Sequence, residues 1–269
     1  MPDMTRVTIA TIALVAVVAR LGAASPAPAA YPAAPDVVVF CEPTLQHAVR
    51  DVGALWRSET GIHMRVFTSP TWALLQQVAH HARDDVLIGE GDGEAHIAAV
   101  QNLIEGGSQQ TLWRNRLVVA ARRGDRQSGG VNPPAVASGQ LATVAGKQPI
   151  AIVDAWAATA GADSEKALQS LGLWQAVSSK SIGVVGTADA AFLLAQGKVQ
   201  LAVVYATDVA ANPVFRITDR LPAASYPPIV YWVAQTAHAL SPNAAKFITF
   251  LHGAEAQERL RADGLEVLP

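Results

Sequence analysis

Short apolar runs alternate with helical patterns along most of this chain, and that alternation limits its fold more than any other feature. Val37–Phe40 (VVVF) reads as a buried strand, and Leu45, Ala48, Val49, Val52 and Leu55 then recur at helical spacing up to Gly61. Met64–Phe67 is a second strand, Trp72 to Ala82 a helix with Leu74, Leu75 and Val78 on one face, and Asp85–Ile88 a third strand. Strand–helix–strand–helix–strand is the sequence form of a parallel α/β sheet. The theme restarts later, with strands at Ile150–Val153, Ile182–Val185 and Leu201–Tyr205 and helices at Ser164–Leu171 and Ala188–Gln196. Leu117–Ala121 reads as a strand leading into a polar, Gly/Pro-rich segment, RRGDRQSGGVNPP, which fits a crossing into a second lobe. YPPIVYWVA reads as a return strand, and Ser241-Pro242 opens a final helix carrying Ala245, Phe247, Ile248 and Leu251. Two α/β lobes joined by two crossovers account for this order. Ligands in such sheets bind at the carboxyl ends of strands, against helix N-termini.

With 51% hydrophobic residues in 269, the chain has material for a sizeable core. Part of that excess lies at the start. Arg6 precedes an apolar run, Val7 to Ala19, and Ala27-Pro28-Ala29 then offers a small-x-small cleavage site. Residues 1–30 therefore read as a secretory signal peptide, and the run is too short to anchor comfortably in a bilayer. The expected location is the periplasm. The formal net charge is −2 and no basic block stands out, which argues against a nucleic-acid partner.

The chain has one cysteine, Cys41, in the turn CEPT that follows the first strand. An exported protein with one cysteine has no internal disulfide, so this thiol is buried, ligated or covered by a ligand. Three roles are open for the turn. Cys41 with Glu42, Glu90 and Asp92 could supply thiolate and carboxylate ligands to a metal cation, since all four follow strands of the first lobe. Cys41 could be a nucleophile, but no histidine can be assigned as its base, and no P-loop, G-x-S-x-G or GxGxxG-type site is present. Or the turn is the wall of a binding cleft.

Several segments in order resemble the periplasmic molybdate-binding proteins, the solute receptors of molybdate ABC transporters. They are VVVF with TLQHAVRDVGALWRSETG, then FTSPTWALLQQV, DVLIGEGD, RNRLVVAARRG, GADSEKALQSLGLWQAV and LAVVYATDV. Together they cover nearly all of the chain after the leader. The resemblance implies a two-lobed periplasmic binding protein fold of type II, α/β, each lobe a mainly parallel sheet flanked by helices, with the ligand cleft between the lobes. Residues 36–117 with 228–269 would form lobe 1, and residues 118–227 lobe 2. It implies no enzyme and no cofactor, but a monomer that captures a small molecule or ion by hinge closure and delivers it to an ABC permease at the membrane.

That family grips a tetrahedral dianion with hydroxyls and backbone N–H groups at helix starts, where unpaired donors and the helix dipole favour an oxyanion. By position, the implied binding residues are Thr44, Ser69 or Thr71 around Pro70, Ala160 and Thr187 through their amides, and Tyr205. The departures are Cys41, Glu42 and Glu90 in place of small residues, and Trp156 in the loop before Ala160. A carboxylate against an oxyanion costs on the order of 4 kcal/mol at an intermediate effective dielectric. These four are accordingly the candidates for a changed specificity: a molybdate- or tungstate-type oxyanion by inheritance, otherwise a metal cation or an organic anion on which Trp156 could stack.

Overall fold

A computed structural model describes residues 37–124 and 149–268. The expected leader and residues 125–134 of the polar segment lie outside the described residues. Eleven strands form two sheets among them. The strands are β1 Val37–Cys41, β2 Met64–Thr68, β3 Val86–Glu90, β4 Gln110–Asn115, β5 Leu117–Arg122, β6 Ile150–Val153, β7 Ser181–Val184, β8 Leu201–Tyr205, β9 Phe215–Arg220, β10 Ile229–Gln235 and β11 Glu266–Val267. The helices are α1 Gln46–Thr60, α2 Thr71–Ala79, α3 Asp92–Val100, α4 Thr159–Ser170, α5 Trp174–Ser178, α6 Thr187–Ala195, α7 Ala206–Ala210, α8 Ala244–Phe250 and α9 Ala254–Ala262.

The first sheet has the order β11-β4-β10-β3-β1-β2, the second β7-β6-β8-β5-β9. β1 pairs in parallel with β2 and β3, and β6 in parallel with β7 and β8, as the strand–helix alternation predicts. The remaining pairings, through β10, β4 and β11 in one sheet and β5 and β9 in the other, are antiparallel. β4 (QTLWRN) and β9 (FRITDR) carry alternating polar residues and do not form apolar runs, so the sequence reading passes over them. The single C-terminal helix expected after Ser241-Pro242 is two helices, α8 and α9, with Gly253 between them.

Both faces of each sheet are covered, so the central strands are apolar on both sides. In β1, Val37, Val39 and Cys41 join one core cluster, Val38 and Phe40 another. In β8, Leu201, Val203 and Tyr205 face one core, Ala202 and Val204 the other. Each fully buried Val or Leu of these strands contributes roughly 1.5–3 kcal/mol of transfer free energy. α1 buries Ala48, Val49, Val52 and Trp56 as one stripe and ends where Gly61 turns left-handed at φ 71° and donates its N–H to Arg57 O at 2.9 Å.

The chain leaves the first sheet at Asn115 and enters the second at Leu117, so the first crossing sits at Arg116. The first crossing thus falls ahead of the Leu117–Ala121 run, which is a strand of the second sheet as read, and ahead of the polar segment that follows it. The return lies between Arg220 and Ile229. Leu117 N donates to Tyr226 Oη at 3.1 Å, which ties the two crossings together. Arg116 donates from Nε and Nη2 to Glu266 Oε2 at 3.1 and 2.8 Å, fixing the first crossing to β11.

Candidate functional site

A cavity of about 420 Å³ opens where the carboxyl ends of β1, β3, β6 and β8 meet helix N-termini. Its first wall comes from the turns after β1, β2 and β3 and includes Glu42, Thr44, Thr71, Trp72, Glu90 and Glu94. Its second wall comes from the starts of α4 and α6, with Ala160, Thr187, Tyr205 and Asp208. Among the described residues the lining contains no lysine, arginine or histidine. A larger and more open groove of about 1190 Å³ lies at the crossings, lined by Arg116, Arg123, Arg216, Arg220 and Arg261, and contains none of the expected site residues. The smaller cavity is where the strand ends and the expected donors converge.

The first wall is knitted by its own hydrogen bonds. Glu42 Oε2 accepts from Thr71 N at 2.8 Å and from Thr71 Oγ1 at 2.6 Å. Thr71 Oγ1 in turn accepts from Glu90 N at 2.9 Å. The first amide of α2 is therefore capped by a carboxylate 29 residues away in sequence, a favourable place for negative charge. Thr44 lies in a single 3-10 turn, Pro43–Leu45, ahead of α1. Its Oγ1 caps no helix amide and pairs with Tyr231 Oη at 3.0 Å. Asn115 Nδ2 donates to the same Tyr231 Oη at 3.2 Å and to Thr207 Oγ1 at 3.0 Å, which links the wall to the first crossing. Burial pushes Glu90 up to about 8, with Glu42, Asp163 and Glu94 adding repulsion and Tyr231 opposing it by a hydrogen bond. Burial also raises Glu42, while the two bonds from Thr71 pull the other way.

The second wall is built from backbone. α4 begins at Thr159 and α6 at Thr187, so the amides of Thr159, Ala160, Thr187 and Ala188 have no carbonyl one turn back inside their helices. α4 sits close on the loop before it: a Cβ on Gly161 would lie 2.2 Å from Asp154 O. Asp208 accepts from Tyr205 N at 2.9 Å and bonds the Thr187 side chain, yet burial raises it to about 6. Its oxygens are engaged within the wall. Tyr205 is 2% exposed, and burial with the nearby Glu90 holds its phenol well above the usual range.

Of the residues expected to bind, Thr44, Thr71, Ala160, Thr187 and Tyr205 line the cavity, and Ser69 does not. Ser69 donates its amide to Cys41 O at 3.3 Å and stands outside the wall. Of the candidate specificity residues, Glu42 and Glu90 line the cavity. Cys41 is fully buried in the core, where burial beside Glu42 pushes its thiol up to about 12, so it neither reaches the cleft nor ionises readily. Trp156 is 81% exposed and absent from the lining, so its expected place over the ligand is not realised here. The metal set Cys41, Glu42, Glu90 and Asp92 is not assembled. Among the described residues the only His/Cys/Asp/Glu trio with donor atoms within 4.8 Å is His47, Asp51 and Asp263, which lies outside the lining. Arg259 already pairs with both of those aspartates.

Sequence reasoning missed Glu94, Asp208 and Tyr231. Glu94 sits one turn into a helix that was not recognised, since α3 (DGEAHIAAV) has a weak apolar stripe. Asp208 follows the VVY strand by three residues, where an N-capping acid is a readable signal. Tyr231 pairs in register with Glu90 only through the long-range β10–β3 ladder, which no local pattern announces.

A model of the family of bacterial extracellular solute-binding proteins matches residues 37–266. The molybdate-binding protein ModA of Escherichia coli (strain K12) is 24% identical over 231 residues, covering 86% of this chain and 89% of that protein. A substrate-binding domain assigned to a molybdenum ABC transporter of Clostridium difficile superposes with a TM-score of 0.72 at 19% identity, over 87% of this chain and 99% of that one. L-phospholactate-bound PEB3, a Campylobacter jejuni protein, superposes with a TM-score of 0.66 at 15% identity, over 86% and 99%. These structural likenesses bear on the fold, which is that of two-lobed periplasmic binding proteins.

Proposed function

This chain belongs to the family of bacterial extracellular solute-binding proteins, and from that footing we propose that it is the periplasmic receptor of an ABC importer, taking a small solute through an anionic oxygen group. The observation that carries the reading is the convergence of the α4 and α6 starts with Tyr205 on one cavity of about 420 Å³. Four amides without intrahelical acceptors and the positive ends of two helices form a neutral donor set for an oxyanion. Closure of the two lobes would bring the first wall over the bound solute, and the closed form would dock on the permease.

The inherited ligand is a molybdate- or tungstate-type oxyanion. Two features favour an oxyanion carried on an organic body. The cavity is within the range of about 300–1,000 Å³ usual for organic ligands. Thr71, the expected hydroxyl donor of the first wall, already serves Glu42. Binding rather than chemistry is the role, and the buried Cys41 takes no part in it.

The test is calorimetric binding of molybdate, tungstate, phosphate and small organic acids to the purified protein and to two variants. Ala160→Pro deletes one amide at a helix position where proline is tolerated. Tyr205→Phe deletes the phenol. Whichever oxyanion binds should weaken about tenfold in Ala160→Pro, the worth of one charge-assisted hydrogen bond. Full affinity in both variants would remove the second wall from the site.

A further inference from the structure

The two walls of the cleft have opposite chemistry. The first contributes three carboxyl groups, Glu42, Glu90 and Glu94, and among the described residues the lining holds no basic side chain. Two of its donors are already used, because the Thr71 amide and hydroxyl both point to Glu42 Oε2. Glu42 thus stands as a tethered anion in the place where an incoming oxyanion would seek those donors. The second wall keeps the helix-start amides of α4 and α6, while its one acid, Asp208, is engaged by Tyr205 and Thr187.

We infer that the ligand is a small zwitterion, its acidic head on the α4 and α6 amides and its ammonium group facing Glu42, Glu90 and Glu94. The inference rests on the proposal that the cleft receives an oxyanion-bearing solute, and adds the cationic pole. An inorganic dianion would set negative charge against Glu42, whose carboxylate already holds the Thr71 donors, and would offer no cation to Glu90 and Glu94. A bare metal ion lacks three donor atoms within 4.8 Å among the described cleft residues and leaves the amides unanswered. A volume of about 420 Å³ leaves room for a short organic body between the two poles.

The groups facing Glu90 are Glu42 from the turn after β1, Glu94 from α3, Asp163 from α4, and Tyr205 and Tyr231 from β8 and β10. None is basic, and Lys166 reaches this set only as a neighbour of Asp163. Without a ligand Glu90 therefore keeps its proton to about pH 8. An ammonium group favours the ionised carboxylate, so its binding expels that proton and strengthens as pH rises toward 8. An oxyanion favours the protonated acid, so its binding stays nearly level up to about pH 8 and weakens only above it.

The experiment is thermal shift and calorimetry on the purified protein with matched pairs: β-alanine and propionate, taurine and ethanesulfonate, 2-aminoethylphosphonate and ethylphosphonate. Molybdate, putrescine and manganese chloride serve as single-pole probes. The amine-bearing member of at least one pair should bind about tenfold or more above its deaminated partner, and about tenfold tighter at pH 8 than at pH 6. Glu42→Gln should weaken it about 10- to 100-fold. Glu90→Gln should remove the pH dependence, and the wild-type pH profile carries the test should either variant fail to fold. Equal or stronger binding by a deaminated acid or by molybdate overturns the zwitterion and leaves the oxyanion receptor standing. Stronger binding by putrescine or manganese overturns the acidic head. Silence across the panel overturns both readings.

Discussion

The two walls of the cleft use the same device, a helix start aimed into a cavity, and reach opposite results. At α2 the first amide is occupied by Glu42, a residue of the protein itself. At α4 and α6 the first residues line the cavity, and their amides have no acceptor inside the helix. The difference comes from what precedes each helix. Before α2, the chain brings β1 alongside β2, and Glu42 follows β1 directly, one step past the Cys41–Thr68 pair. Its carboxylate then falls on Thr71. Before α4 and α6 stand Ala158 and Gly186, which carry no acid. A helix dipole alone therefore says little about what a site binds; its neighbours decide whether the charge is already answered.

The largest expected effect comes from unseating the donor wall. Gly161→Val places a Cβ 2.2 Å from the Asp154 carbonyl, against backbone that cannot step aside. The start of α4 must move, at a cost of about 3 kcal/mol by overpacking. The expected outcome is a clear drop in Tm together with loss of ligand binding. A variant that binds normally would mean that α4 contributes nothing to the contrast between the walls.

Next in size is the response of the acidic wall to pH. Glu90 holds its proton to about 8 in the folded protein, against 4.5 for the free side chain, so the folded state binds more protons between those values. The stabilising difference is fully present below about pH 4.5 and is lost as pH rises through about 8. The full gap would be worth roughly 5 kcal/mol, and because Glu90 is only partly buried, solvent screening should bring the loss to about 2–3 kcal/mol, several degrees in Tm for a chain of this size. Glu42, raised for the same reason, adds in the same direction. Glu90→Gln should flatten the decline and be more stabilising at pH 8 than at pH 5. A steady Tm from pH 5 to 8 in the wild type would show that a counter-charge reaches this wall.

Paired threonines then sharpen the comparison. Thr71→Val removes the bond to Glu42 and leaves the Glu90 amide without its acceptor, a cost of about 1–3 kcal/mol. Thr187→Val removes one bond to Asp208, which keeps the Tyr205 amide, so about 1 kcal/mol is expected. Denaturant unfolding of both variants would check the order. Equal costs would mean that the Thr71 bridge is no more than an ordinary surface contact.

Much of the fold was legible because it is written in local periods. The parallel halves of both sheets announce themselves as four- or five-residue apolar runs followed by helical stripes, and Gly61 marks the end of α1. The antiparallel strands β4 and β9 were not legible, because an edge or half-exposed strand reads as polar. In the cleft, Thr44, Thr71, Ala160, Thr187 and Tyr205 follow strand ends or open helices, positions that sequence order fixes well. What order could not give was the partner of each side chain. That Glu42 reaches Thr71, and that Tyr231 sits opposite Glu90, are consequences of sheet register.

The smallest effect concerns Cys41 and tests that register most directly. In a strand covered on both faces, successive side chains point to opposite layers. Val37 and Val39 face one core, so Cys41 must face it too, and Glu42, the first residue beyond the strand, is free to turn into the cleft. The thiol is 0% exposed and is pushed up to about 12, so almost no thiolate exists at neutral pH. Native protein should resist a thiol reagent that labels it fully once unfolded. Cys41→Ala should cost about 1 kcal/mol of packing and leave ligand affinity unchanged. Ligand-protected labelling of the native thiol would break the comparison at its base, since it would put Cys41, and not Glu42 alone, in the acidic wall.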